Sequence, residues 1–159
     1  MKFVKEKQNR QAGFNLIELM IVIAIIALLI GVGVPAWQSM VQSGNESAAV
    51  QSIDNLRKAQ YQYAAKNQGN FAPTFDRLIE SVRFDEKFKG ENPVVNGYIF
   101  RMQVQERTNA RPSFFSINAD PQVPTGISAT GSRFFYSDSS VGTIKQNENE
   151  PAKATDPSI

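Results

Sequence analysis

The sequence contains no cysteine and no histidine. Without cysteine the fold holds no disulfide bond, and cysteine usage cannot report the redox compartment of the chain. Zinc sites with Cys or His ligands and nucleophile pairs of the Ser-His or Cys-His kind are also excluded. Asp, Glu, Lys and Tyr could still act in catalysis, but the missing histidine argues against it. We therefore predict a protein that is not an enzyme and has no catalytic residues, metal site or cofactor.

The charge of the chain is nearly balanced, with 17 Lys and Arg residues against 15 Asp and Glu residues. A nucleic-acid binder usually carries a clustered basic face, so we predict no specific nucleic-acid partner. The length of 159 residues suits one ordinary domain and leaves little room for a second.

The N-terminus is the most informative part of the chain. Residues 1–13 hold four basic side chains and one acid, and residues 19–37 are 19 consecutive residues without a charge, most of them large and aliphatic. This is close to the length of about 20 apolar residues that a helix needs to cross a bilayer. Because basic flanks stay on the cytoplasmic side, the C-terminal part of the chain should lie outside the cytoplasm.

Three simpler explanations compete for this segment. A secretory signal peptide has a shorter apolar run, of about 7–15 residues, and then a small-residue cleavage site, which Pro35-Ala36-Trp37 matches poorly. A buried core helix would need a polar face that the apolar run lacks. A plain membrane anchor explains both the length and the flanking charge.

Two details favour something more specific than an anchor. Glu18 lies at the start of the apolar run, where an acid is costly and usually has a partner, unless it reaches water at the interface. Gly13-Phe14 lies between the basic leader and the apolar run, and a cut after Gly13 would create an α-amine on Phe14, four residues before Glu18. Between staggered helices that amine and the Glu18 carboxylate could neutralise each other, which would set an axial register for a polymer.

Residues 13–22, Gly-Phe-Asn-Leu-Ile-Glu-Leu-Met-Ile-Val, resemble the class III signal of type IV pilins and their relatives, usually written G-F-T-L-I-E. The resemblance covers about the first 40 residues, and Asn15 stands where the family usually has Thr. It implies that a prepilin peptidase cuts between Gly13 and Phe14 and methylates the Phe14 amine. It also implies that Glu18 pairs with the Phe14 amine of a neighbouring subunit.

Gly31, Gly33 and Pro35 form a predicted helix break at the end of the apolar run. Glycine costs roughly 1 kcal/mol and proline roughly 3 kcal/mol in a helix interior. Pro35 also removes a backbone donor and clashes with the carbonyl of Gly31. We expect a segment that kinks or melts, although an incidental kink of a membrane helix remains the alternative. In the pilins that the chain resembles, the corresponding proline marks a curved helix that partly unwinds in filaments.

The fold class predicted for the whole chain is α+β, with a long N-terminal helix packed on a small antiparallel sheet of about four strands, as in the pilin fold. The strands are expected at 98–105, 113–119, 133–137 and 141–145. The first three segments are a leader to be removed (1–13), an apolar membrane-spanning assembly helix (14–35) and its amphipathic continuation (36–68). They are followed by a connecting loop (69–97) with a short helix at 75–82, the sheet (98–146), and a polar tail (147–159) that is either mobile or laid over the surface.

Two sets of charged residues in the C-terminal half could hold chemistry. Asp120, Asp138 and Asp156 are spaced acids that could bind calcium, but capping of turns is the favoured interpretation, and two of them precede proline. The second set could form a basic patch, although solvated faces are the usual place for such residues; it consists of Arg101, Arg107, Arg111 and Arg133.

The leading hypothesis is a structural subunit of a type IV pilus that polymerises with identical subunits. Its partners would be the prepilin peptidase, the inner-membrane assembly machinery and, before assembly, membrane lipid. The precursor would cross the inner membrane once, and the assembled pilus would be extracellular. The alternatives are a pseudopilin of a type II secretion system, a minor pilin, or a monomeric anchored binding module that needs no cut at Gly13.

Overall fold

The computed structural model describes residues 14–140 and 142–159, so the leader and Val141 lie outside the described residues. The chain divides into two compact units after Trp37. Helix α1 spans Leu16–Lys66 and contributes its first part to the N-terminal unit and the rest to residues 38–159, which we call the head. The helix ends at a left-handed turn, because Gln68 and Gly69 have positive φ and the Gly69 amide donates to the carbonyl of Ala64 at 2.9 Å.

The connecting segment of the head folds as two short helices. Helix α2 is Phe75–Val82, the range predicted from Pro73-Thr74, and it begins where the Thr74 hydroxyl accepts a hydrogen bond from the Arg77 amide at 3.3 Å. A 3-10 helix follows at Glu86–Phe88, with the Asp85 carboxylate as its N-terminal cap.

The head sheet is antiparallel and has five strands in sequence order. The strands are β1 Val94–Val95, β2 Tyr98–Gln105, β3 Phe114–Pro121, β4 Phe134–Asp138 and β5 Lys145–Asn147. Two details correct the sequence prediction. A first strand of only two residues was missed, and the last strand lies at the end of the predicted 141–145 range rather than within it.

The hydrophobic core lies between the second part of α1 and one face of the sheet. The helix contributes the apolar stripe expected from its spacing, and Ala49, Ile53, Leu56 and Tyr63 are all buried. Alternate residues of the central strands face this stripe, among them Phe100, Phe115 and Ile117. Gln60 is fully buried among them. Its side-chain NH2 group donates a hydrogen bond to the Ala72 carbonyl at 3.0 Å, and its side-chain oxygen accepts one from the Ala72 amide at 2.8 Å.

The connection between β3 and β4, residues 122–133, is held close to the start of the head. We call it the β3–β4 loop. Thr130 connects the two ends of the loop, because its amide donates to the Val123 carbonyl at 2.8 Å. Its hydroxyl donates to the carbonyl of Gly97, the residue before β2, at 2.7 Å. Asn45 of α1 donates to the Thr130 carbonyl at 2.8 Å. The loop therefore has a fixed backbone although it contains no regular structure.

Gly131 in this loop is packed closely against Tyr98. A methyl group at position 131 would overlap the Tyr98 ring, with Cζ at 2.7 Å. Tyr98 is fully buried and cannot move aside, so we expect Gly131→Ala to lower the free energy of unfolding by about 1–3 kcal/mol. Gly142→Ala is the matched control, because nothing lies within 4 Å of its added methyl group. Equal urea midpoints for the two variants would show that the loop is looser than described.

The polar tail lies over the sheet, which settles the two alternatives left by the sequence. Ala152 is buried, and its carbonyl accepts a hydrogen bond from the Asn118 side chain of β3 at 3.0 Å. The tail then runs beside β5, where the Gln146 amide donates to Pro157 at 2.9 Å and the Ile159 amide donates to Ile144 at 3.1 Å.

Candidate assembly site at the start of the long helix

The first turn of α1 is closed by a reciprocal pair of side chains. The Asn15 side-chain oxygen accepts a hydrogen bond from the Ile17 amide at 3.3 Å, and a Glu18 carboxylate oxygen accepts one from the Asn15 amide at 3.3 Å. The Asn15 carbonyl also accepts from the amides of Glu18 and Leu19. This is a capping box, in which Asn15 takes the place that Ser or Thr usually has. Asn15 was noted in the sequence only as a departure from Thr, and the three-residue spacing to Glu18 was the signal that could have revealed the cap.

The structure places Phe14 just outside this turn. Its side chain is 88% exposed, and the Glu18 carboxylate caps the same turn from the exposed surface of the helix. The orphan amides and the dipole of a helix N-terminus favour an acid at this place. The pairing of Glu18 with a Phe14 amine of another subunit stays a prediction, and Gly13 lies outside the described residues.

The helix that follows is apolar on all sides. Within the described residues, every large aliphatic side chain from Leu16 to Val34 is exposed. Among the described residues, α1 is the one helix that is long and apolar enough to cross a membrane. A surface of this kind has to be covered by lipid or by other helices.

The segment of the predicted helix break is helical in the structure. Helix α1 continues through Gly31, Gly33 and Pro35 without interruption. A proline in a helix interior removes one backbone hydrogen bond and leaves the others in place, so a helix can run through it. Local weakness of residues 31–35 therefore remains a prediction. It concerns the helix under tension or in contact with helices of other subunits.

The capping box gives a direct expectation for Asn15. Asn15→Ala should lower the stability of the first turn by about 0.5–2 kcal/mol, because the Ile17 amide loses its acceptor. Faster amide hydrogen exchange at Ile17 and Glu18 in detergent micelles would show the effect. Asn15→Thr retains a capping oxygen and should exchange at nearly the original rate. Unchanged exchange in the alanine variant would mean that Glu18 alone closes the turn.

Glu46 is a buried acid of α1 that the sequence did not reveal. It is 5% exposed and accepts hydrogen bonds from the Ser132 amide and hydroxyl, both at 2.9 Å. It also pairs with the Arg133 guanidinium at 2.7 and 2.8 Å. Burial raises the pKa of Glu46, but these hydrogen bonds and the Arg133 charge outweigh it and hold the pKa below its usual value. This cluster, which we call the Glu46 clamp, fastens the end of the β3–β4 loop to α1.

The three spaced acids lie at separate places in the head. Asp138 accepts hydrogen bonds from the Ser140 amide and hydroxyl, and Asp156 accepts one from the Lys153 amide, so both close turns as expected. Asp120 instead lies in β3, one residue before its end, and forms an ion pair with Arg101, which corrects the prediction of a turn there. Within residues 14–140 and 142–159, no group of three acids is arranged to hold a metal ion.

The four arginines do not act as one patch. Arg101 pairs with Asp120 and Arg133 pairs with Glu46. Arg107 donates to the carbonyl of Gln68, beyond the end of α1, at 3.3 Å, and the Arg111 backbone closes a tight turn with Thr108. Three of the four guanidinium groups therefore have a local partner.

Comparison with known proteins places the resemblance in the N-terminal segment. Residues 8–34 match the family model described as the prokaryotic N-terminal methylation motif. A fimbrial protein of Moraxella nonliquefaciens is 47% identical over 49 residues, which are 31% of this chain and 32% of that protein. Prepilin peptidase-dependent protein D of Escherichia coli (strain K12) is 41% identical over 51 residues, 32% of this chain and 35% of that protein. The chain thus matches about a third of the length of these curated relatives, and no solved structure matches it.

Proposed function

We propose that this chain, which carries the N-terminal motif of the type IV pilin and pseudopilin superfamily, is a structural subunit of a type IV pilus. The observation that carries the proposal is the part of α1 from Leu19 to Val34, which is apolar on all sides and exposed, and which follows the capped first turn that holds Glu18. A monomeric globular protein rarely exposes such a surface. Lipid would cover it in the precursor, and the same helix of neighbouring copies would cover it in a filament.

Processing supplies the second part of the proposal. A prepilin peptidase would cut between Gly13 and Phe14 on the cytoplasmic side and methylate the new amine, and the assembly machinery of the inner membrane would then extract the subunit. The Glu18 carboxylate would meet the Phe14 amine of a neighbouring copy, and this pair would fix the axial position of each subunit. The precursor would be a single-pass inner-membrane protein with its head outside the cytoplasm, and the assembled filament would be extracellular. Neither relative carries the name of an enzyme, and we propose no catalytic role here.

The runner-up is a pseudopilin of a type II secretion system, which has the same N-terminal signal. The fimbrial relative favours a pilin, whereas the second relative is named only for its dependence on the prepilin peptidase. A minor pilin would share every feature described for α1.

Two measurements test this function together. Mass spectrometry of the mature protein should find a methylated Phe14 at its N-terminus. Electron microscopy of material sheared from the cell surface should find long fibres that contain this chain as their main component. A mature chain that still begins at Met1 would refute the polymer, and a correctly cut chain found only in envelope fractions would favour the pseudopilin.

A further inference from the structure

The charge-free part of the chain continues beyond the apolar helix into the head. Residues 19–45, 27 residues in all, contain no Asp, Glu, Lys or Arg. The first charge after them is Glu46, which points inward into its clamp, and the first exposed charge along α1 is Asp54. At 1.5 Å per residue, residues 19–45 span about 40 Å as a helix, which equals the thickness of a bilayer with its headgroup layers.

The β3–β4 loop is charge-free over the same part of the head. Residues 121–132 contain no ionisable side chain. Three helix side chains hold this loop against α1: Gln38 donates to the Ile127 carbonyl, Asn45 to the Thr130 carbonyl, and Glu46 accepts from Ser132. The two charge-free stretches therefore form one surface, made of residues 38–45 and 121–132, which we call the proximal surface.

Among the described residues of the head, Ile127 is the most exposed large apolar side chain, at 83%. The bond from Gln38 holds its backbone beside the first residue of the head. Val41, one helical turn after Gln38 and between the two tethers from Gln38 and Asn45, is 40% exposed. A fixed backbone that displays an isoleucine to the outside indicates a contact surface, because a free loop tip would hold small or polar residues there.

We propose that the proximal surface rests on the lipid headgroup layer in the precursor, with Ile127 inserted into its apolar boundary. The inference rests on the membrane-anchored precursor proposed above. The occupant is lipid because the surface begins at Gln38, directly after the membrane-length segment, and because its polar groups are uncharged amides and hydroxyls that suit the interface. Amphipathic protein surfaces bind there by burying apolar side chains to the depth of the acyl boundary.

The absence of cysteine makes the test direct. Ile127→Cys gives the full chain one thiol, which can carry an environment-sensitive fluorophore. The labelled chain is inserted into vesicles of phosphatidylethanolamine and phosphatidylglycerol. Val94→Cys and Ile159→Cys are matched controls, because both side chains are apolar and exposed and both lie outside the proximal surface. We expect nitroxide-labelled lipid to quench the label at position 127 several-fold more strongly than either control, and aqueous iodide to quench it correspondingly less.

Each outcome decides a separate point. A chain that does not float with the vesicles refutes the membrane-anchored precursor itself. A chain that floats, but whose label at position 127 is quenched like the label at position 94, refutes only the lipid contact. Shielding that disappears when the chain is diluted into excess lipid would assign the surface to a second copy and overturn the proposal. Failure of the mature chain to form fibres leaves this measurement unaffected.

Discussion

Glu18→Gln should be cut normally after Gly13 and should fail to assemble into surface fibres. Glutamine is also a good partner in a capping box, so the bond to the Asn15 amide and the first turn of α1 should survive. What is lost is the negative charge. Removal of one partner from a buried ion pair costs about 3–5 kcal/mol, which corresponds to a loss of more than about a hundredfold in an assembly equilibrium. Fibre yield after shearing, normalised to the processed protein in the membrane, measures the effect.

Asn15→Ala is the control that separates charge from helix capping. It removes the acceptor of the Ile17 amide and leaves the Glu18 carboxylate in place. We expect this variant to assemble, with at most a modest loss of fibres. If Asn15→Ala fails and Glu18→Gln assembles normally, the cap would be the feature that assembly needs, and the proposed charge pair between subunits would be wrong.

Glu46→Gln should lower the free energy of unfolding by about 1.5–3 kcal/mol, the usual contribution of a hydrogen bond to a charged group. The side chain of Arg133 is 37% exposed, so it can reach water in part, and the loss should stay below that of a fully buried pair. Asp54→Asn is the matched control, since Asp54 lies on the same helix and pairs with Arg57 from an exposed position. That variant should change stability by less than about 1 kcal/mol. Urea unfolding of the full chain in detergent measures both.

Glu46→Gln should also remove part of the pH dependence of the free energy of unfolding. The pKa of Glu46 is lowered in the folded protein, so the unfolded chain binds a proton more readily. The contribution of this carboxylate is therefore present above its unfolded pKa and is lost as the pH falls through the folded value. The original protein should lose stability relative to Glu46→Gln as the pH falls below about 4.3, the ordinary value for glutamate. Parallel pH profiles of the two proteins would contradict the clamp.

The elements that could be predicted from the sequence are those specified by neighbouring residues. Helix α2 follows from Thr74 as its N-terminal cap after Pro73, and the end of α1 follows from Gly69, which adopts a positive φ. Strand β2 follows from the alternation of apolar and polar residues from Phe100 to Gln105. These elements could be predicted without knowing which residues they contact in the folded protein.

The features that could not be predicted depend on distant residues. Strand β1 has two residues and exists because Val94 and Val95 pair with Ile99 and Tyr98. The contact of Glu46 could not be predicted, because helical spacing describes faces and cannot show that Ser132, 86 positions later, donates to it. Pro35 is the opposite case, in which a local signal does not decide the conformation. A proline in a helix interior carries a free-energy penalty, but α1 continues through it.

The tail beside β5 limits how this protein can aggregate. An open sheet edge is a template for strand addition and for amyloid, and proteins guard such edges with covers or with very short strands. Here the Pro157 carbonyl and the Ile159 amide take up the hydrogen bonds of Gln146 and Ile144 beside β5. Cross-β stacking of heads is therefore hindered at this edge. In the proposed filament the subunits would meet through their helices, and this edge of each head would not be open to strand addition from the next.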